Sequence, residues 1–172
     1  MNMIGSGPYI CWSYPGTYHY RADVTSIISG NGTYQVSGLP TNPPTAFNDM
    51  NGATLMIIYN DPSQLWQGTL IIKDGCRTAI GSPINDTISN YNICMNSISG
   101  KAFCIISDLQ MTGTGVTMNN TLANYTWNWW NMIEVNTMYA QNQTTTNYNI
   151  NGTGDCYSVL AMGTYFRHTC AS

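Results

Sequence analysis

Residues 53–73 have the sequence ATLMIIYNDPSQLWQGTLIIK. Two short apolar runs, residues 53–59 and 68–73, flank the turn-forming residues NDPS at 60–63. Runs of this length that are rich in Ile, Leu, Thr and Tyr and bounded by turn residues predict β-strands. Because the first run is apolar at consecutive positions, we expect it to be a central strand that is covered on both faces.

Similar segments follow in both directions along the chain. Further strands are predicted at residues 9–12, 17–24, 33–36, 88–94, 101–106, 114–122, 127–135 and 157–166, with an edge strand or exposed loop at 141–149. Residues 88–94 and 101–106 are expected to pair as a hairpin, and residues 38–52 to form the longest loop. About ten short strands with turn signals between them predict an all-β protein, a single β-sandwich domain over residues 1–172.

The composition is unusually poor in charge. Charged residues make up 8% of the chain, against about 25% in typical domains, and Asn and Thr, at 20 and 21 copies, take their place. A net charge of −3 with only five Lys and Arg residues argues against a nucleic-acid partner, since such binding needs a basic surface. Weak electrostatic repulsion favours self-association, so we expect a homopolymer. No apolar run is long enough to predict a membrane span.

Six cysteines occur in the chain, an even number without any C-x-x-C pair: Cys11, Cys76, Cys94, Cys104, Cys156 and Cys170. Close pairs are what a zinc site needs, and low charge with many cysteines favours disulfides formed in an oxidising compartment. We therefore predict three disulfides in an extracellular or cell-surface protein. A bond between Cys94 and Cys104 would cross a hairpin that turns near residues 97–101. Elimination then leaves Cys11 with Cys76 and Cys156 with Cys170, among several open pairings.

Six N-x-[ST] sequons make the chain a candidate glycoprotein, although the number only slightly exceeds what the composition gives by chance. The candidate asparagines are Asn31, Asn85, Asn119, Asn124, Asn142 and Asn151.

Motifs that would indicate catalysis are missing from the sequence. The two histidines, His19 and His168, are far apart, and no G-x-S-x-G motif is present. Most carboxylates lie in turn sequences such as residues 60–62 and 73–75, where Asx-turns account for them. We therefore expect no catalytic residue, no metal, no cofactor and no enzymatic activity.

One aromatic cluster stands out, formed by Tyr125, Trp127, Trp129 and Trp130. On a strand, Trp127 and Trp129 would share one face and Trp130 would lie on the other. Three roles remain open for this cluster. It could fill the core, form a subunit interface, where aromatic residues are enriched, or stack against sugar rings.

Several strings resemble a module of large secreted surface proteins. They are YRADVTS at 20–26, GNGTY at 30–34, NGATL at 51–55, IIY at 57–59 and DPS at 61–63, followed by WWNMIEV at 129–135 and DCY at 155–157. The chain is similar there to β-sandwich modules of adhesin-like cell-surface proteins from bacteria and methanogenic archaea. Those modules carry one or two further strands before the ADVT string. Only about twenty residues precede that string here, so either the chain is a trimmed form or the sandwich is short of a strand, which a neighbouring subunit can supply.

Together these features predict an extracellular structural subunit that self-assembles into a filament, tube or surface layer. The alternative is a carbohydrate-binding or adhesive module that uses the aromatic cluster, with glycans as partners.

Overall fold

The structure is a computed structural model. It describes residues 1–8, 15–39, 50–60, 63, 68–110, 113–152 and 154–167, of which 113 and 114 are described by their backbone only. Within these residues the protein is all-β and contains no helix. Ten strands form it: β1 (Asn2–Gly7), β2 (Thr17–Arg21), β3 (Gly68–Ile80), β4 (Ile84–Ile88), β5 (Ile98–Ser107), β6 (Gly113–Met118), β7 (Thr121–Tyr125), β8 (Trp130–Tyr139), β9 (Thr146–Ile150) and β10 (Cys156–Arg167).

The strands form two four-stranded antiparallel sheets and one small two-stranded sheet. The first sheet has the order β3-β10-β5-β8, the second has the order β4-β9-β6-β7, and β1 pairs with β2. The two larger sheets pack face to face in a sandwich-like arrangement, which confirms the predicted all-β sandwich.

The main core lies between the two larger sheets. Strand β8 alternates strictly between buried and more exposed residues, with Ile133 and Val135 turned inward, as one face of a sheet on a core requires. Strand β9 does the same with Tyr148 and Ile150. The central strand β10 is buried over nearly its whole length, since it is covered on both faces.

The outer face of the first sheet is covered at β3 by the two-stranded sheet. A side chain at Gly5 would place its Cβ 2.3 Å from the backbone nitrogen of Cys76, so only glycine allows β1 to cross β3 at this distance. His19 Nδ1 donates a hydrogen bond to the Gly75 carbonyl over 2.7 Å, and Arg21 forms an ion pair with Asp74. The two-stranded sheet is therefore docked mainly by polar and backbone contacts.

The strand predicted at residues 53–59 is wrong. Residues 50–60 run without turn or bend, but they belong to no strand, and no backbone hydrogen bond joins them to another described residue. Tyr59 is 80% exposed, and Leu55, Ile57 and Ile58 are exposed too. An apolar run predicts an extended chain, but pairing also needs a neighbouring strand that the run itself does not specify. The strand predicted at 33–36 is likewise absent.

Two further predictions fail because of pairing. Residues 74–75 were expected to end a strand, yet β3 continues through them, because a register shift in its pairing with β10 absorbs the extra residue. The hairpin predicted from residues 88–94 and 101–106 does not form, since β4 and β5 belong to different sheets.

The remaining strand predictions fare better. Residues 114–122 hold two strands, β6 and β7, because Asn119 and Asn120 adopt positive φ angles of 47° and 63° and close a tight hairpin turn. Strand β9 within 141–149 is an internal strand of the second sheet, not an edge strand. Strands β2 and β10 confirm the predictions at 17–24 and 157–166. Residues 9–12, and most of the predicted loop at 38–52, lie outside the described residues.

Candidate functional site

The prediction of three disulfides is wrong. Cys76 and Cys104 carry free thiols, whereas Cys94 and Cys156 are disulfide-bonded. The predicted bonds of Cys94 to Cys104 and of Cys76 to Cys11 therefore do not form. Cys104 lies in the core between the sheets, whereas Cys94 lies in the segment after β4. The remaining predicted partners, Cys11 and Cys170, lie outside the described residues.

Burial lowers the reactivity of both free thiols. It raises the pKa of Cys76 to about 11 and raises the pKa of the fully buried Cys104 further, because a low-dielectric surrounding disfavours the thiolate. Since the thiolate is the form that reacts, both residues can persist as thiols in an oxidising compartment.

The six sequon asparagines differ in accessibility. Asn119 is buried, and its Nδ2 donates to Thr137 Oγ1 over 3.1 Å and to the Met138 carbonyl over 2.9 Å. A glycan on that nitrogen would replace one of its two hydrogens and would have to fit a buried position, so we expect Asn119 to be the least accessible of the six sequons. Asn151 is half-buried, and four are exposed: Asn31, Asn85, Asn124 and Asn142.

The aromatic cluster is divided among three environments. Tyr125 lies in the core. Trp130 is half-buried on the outer face of the first sheet, where its Nε1 donates to Thr54 Oγ1 over 2.8 Å and Gly52 packs against its ring. Trp127 and Trp129 remain 54% and 41% exposed, edge to face with ring centroids 5.9 Å apart. Sequence alone predicted the cluster but not this division.

Backbone hydrogen bonds brace the loop that carries the exposed pair. The Asp108 nitrogen donates to the Trp129 carbonyl over 2.9 Å, and the Asn128 nitrogen donates to the Leu109 carbonyl over 3.2 Å. Asn131 Nδ2 also donates to the Asn128 carbonyl. The two tryptophans are thus held at the start of β8 by a fixed backbone.

Strand β8 is an edge strand of the first sheet, and β7 of the second sheet lies close beside it. Among the described strands it pairs only with β5. The Met138 carbonyl accepts a hydrogen bond from Asn119, which does not belong to β5. The peptide groups of Met138 therefore face away from β5. Because orientation alternates in an antiparallel strand, the peptide groups of Met132, Glu134 and Asn136 also face away from β5. We call these three residues the β8 edge.

The β8 edge carries neither a proline nor an unpaired charge, which are two of the features that protect edge strands. Pro, unpaired charges or a covering element normally block further pairing. The one charge here, Glu134, is paired with Lys101 over 2.7 Å, and Met132 beside it is 52% exposed. No hydrogen bond joins the outward peptide groups of the β8 edge to any residue that the structure describes. Sequence reasoning missed this edge, because strand order cannot be deduced from one strand's own residues.

Residues 54–59, which we call the apolar segment, form a second exposed feature. Thr54 and Met56 are half-buried, Leu55 is exposed, and the three consecutive residues 57–59 are all exposed. The alternation of a strand with one covered face therefore extends only over residues 54–57. The hydrogen bond from Trp130 to Thr54 anchors the start of the segment close to the beginning of β8.

The outer face of the second sheet holds a groove of about 480 Å³ that is lined mostly by amide and hydroxyl side chains. Its lining comes from β4, β6, β9 and the β6–β7 turn: Asn85, Asp86, Thr87, Thr117, Asn120, Asn147, Tyr148 and Asn149. We call it the amide groove. Sequence reasoning missed it, although the alternation of Asn147 and Asn149 with the buried Tyr148 and Ile150 was a usable signal.

Of the two histidines, His19 is hydrogen-bonded to the Gly75 carbonyl, and His168 lies outside the described residues. Among the described residues no group of three or more His, Cys, Asp or Glu side chains could hold a metal ion. The same part of the chain contains no helix with the length and apolar character of a membrane span.

No protein-family model, curated protein or solved structure matches this chain. The similarity to adhesin-like surface modules therefore stays a prediction that rests on the quoted motifs.

Proposed function

We propose that this protein is an extracellular structural subunit, not an enzyme, which self-assembles by strand addition. The apolar segment of one copy would pair with the β8 edge of the next. The observation that carries the proposal is the β8 edge, whose outward peptide groups have no hydrogen-bond partner among the described residues. Exposed strand edges are templates for pairing with another chain.

Both halves of such a contact are present on one chain. The β8 edge offers peptide groups that lack partners among the described residues, and the apolar segment offers a run of backbone without turn or bend that carries the exposed Leu55 and the exposed residues 57–59. Because acceptor and donor are different surfaces, each copy could bind one neighbour at either end. A contact of this heterologous kind generates an open filament unless its rotation closes a ring.

Charge also supports the proposal. With a net charge of −3 over 172 residues, copies repel one another weakly. Lys101 lies beside Glu134, the one charged residue of the β8 edge, and partly offsets its charge. Buried thiols, which react slowly, are compatible with an extracellular location.

Negative-stain microscopy and light scattering on the purified full chain test the proposal. We expect polymers of regular width above a threshold concentration. A monodisperse monomer at every concentration would contradict it and would indicate that the apolar segment is closed within its own chain.

A second candidate is adhesion through Trp127 and Trp129. Their exposure on a braced loop favours it, since large aromatic side chains usually find a cover in the core or at an interface. A Trp129→Ala change separates the candidates, because loss of glycan binding with polymers intact supports adhesion.

A further inference from the structure

We infer that the amide groove on the outer face of the second sheet is a binding site for a neutral glycan. This site is separate from the β8 edge and from the exposed tryptophans, so it does not depend on the proposed assembly.

The groove presents hydrogen-bonding groups that are already oriented. Asn149 Nδ2 donates to Asn85 Oδ1 over 2.6 Å, and Thr87 Oγ1 donates to Asn147 Oδ1 over 3.2 Å. These two bonds fix which end of each amide faces the groove. The Asn85 and Asn147 amino groups are left as donors and the Asn149 oxygen as an acceptor, without partners among the described residues.

The sheet sets the spacing of these groups. Asn149 is the register neighbour of both Asn85 and Thr117, and Asn147 is the register neighbour of Thr87. Neighbouring strands lie about 4.8 Å apart, and residues two apart along a strand are separated by roughly 7 Å. Donors and acceptors are thus repeated in two dimensions on the scale of one sugar ring.

The lining restricts the ligand to an uncharged, hydroxyl-rich molecule. The single charged lining residue, Asp86, is ion-paired with Lys73 over 2.5 Å, and no lysine or arginine lines the groove to hold an anion. Amides both donate and accept, as sugar hydroxyls do. An extended peptide would instead need a strand edge, which the face of a sheet does not offer. The exposed Leu122, register neighbour of Thr117, adds an apolar contact at one end.

The groove has the size and rigidity that such a ligand needs. Its volume of about 480 Å³ falls within the roughly 300–1,000 Å³ of typical ligand sites. The paired amides lie on strands and hold each other in place, so little side-chain freedom is lost on binding.

Isothermal titration with neutral tetrasaccharides of glucose, mannose and N-acetylglucosamine tests the inference. The protein is produced in a host that does not glycosylate asparagine, so that Asn85, which is also a sequon, stays unmodified. We expect millimolar or tighter binding of at least one tetrasaccharide. The double variant Asn85→Ala, Asn147→Ala should weaken it at least about tenfold, because each change removes unpaired donors.

Two controls make the outcome decisive. Asn136→Ala removes an exposed amide from the outer face of the first sheet and should leave the affinity unchanged. Thermal unfolding of each variant checks that the fold is retained. Absence of binding by every tetrasaccharide overturns the inference, as does binding that Trp129→Ala abolishes while the double groove variant leaves it intact. Neither result bears on polymer formation, which is measured separately.

Discussion

Replacing Met132 by lysine should suppress assembly without unfolding the subunit. Met132 is 52% exposed on the outer face of β8, so the change costs the isolated subunit little. Full burial of a methionine stabilises by roughly 1.5–3 kcal/mol, and covering its exposed half by a neighbour therefore contributes about 1 kcal/mol. Lysine forfeits this contribution and adds a partly desolvated charge, for a total of about 2 kcal/mol per contact, or roughly thirtyfold in affinity.

Sedimentation over a concentration series measures the threshold for polymer formation. We expect Met132→Lys to raise that threshold by roughly thirtyfold. Ile80→Lys is a matched control, since Ile80 is 53% exposed and lies at the end of β3, the opposite edge strand of the same sheet. If Met132→Lys polymerises at the wild-type concentration, or if both variants fail equally, strand addition at the β8 edge is refuted.

Three other predictions concern the core and its sulfur atoms. Unfolding in denaturant with iodoacetamide and no reductant should alkylate Cys76 and Cys104 but not Cys94 or Cys156. Peptide mass mapping identifies the alkylated residues, and modification of Cys94 or Cys156 would contradict the assignment. In the native protein at pH 8, Cys76 should react about a hundredfold more slowly than a thiol with a pKa of 9, because its own pKa is about 11. The folded state also holds the Cys76 proton more tightly than the unfolded state does. This residue should therefore make the unfolding free energy fall as the pH rises between about 9 and 11. Gly163→Ala should destabilise the fold by about 1–3 kcal/mol or more in a denaturant titration, because the added Cβ would lie 2.1 Å from an aromatic ring on β5. An unchanged unfolding midpoint would argue against this packing.

Local patterns predicted the fold class and several strands because those signals are contained in the strands themselves. Residues 157–166 were assigned correctly, since they are mostly apolar, as a strand covered on both faces requires, and β10 lies inside its sheet. The strand predicted at residues 127–135 likewise corresponds to β8, which begins at Trp130.

Pairing, by contrast, depends on parts of the chain that are distant in sequence. Residues 53–59 are as apolar as a central strand, but their backbone finds no partner among the described residues. Residues 141–149 are polar enough for an edge strand, yet β9 is an internal strand. An internal strand can be this polar because the outer face of β9 is exposed to solvent and only Thr146, Tyr148 and Ile150 are buried.

The candidate surfaces were predictable to a lesser extent. The tryptophan cluster was found, but its division between Trp130 and the exposed pair depends on residues 52–54, which are far away in sequence. The free state of Cys104 also could not be deduced, because it follows from the separation of β4 and β5 into different sheets.

Hydrogen–deuterium exchange, read by mass spectrometry on monomers and on assembled protein, tests strand addition most directly. We predict that peptides covering residues 132–136 and 54–59 both become slower to exchange on assembly, while peptides from β9 exchange at the same rate in both states. Polymers in which neither segment gains protection would contradict the account.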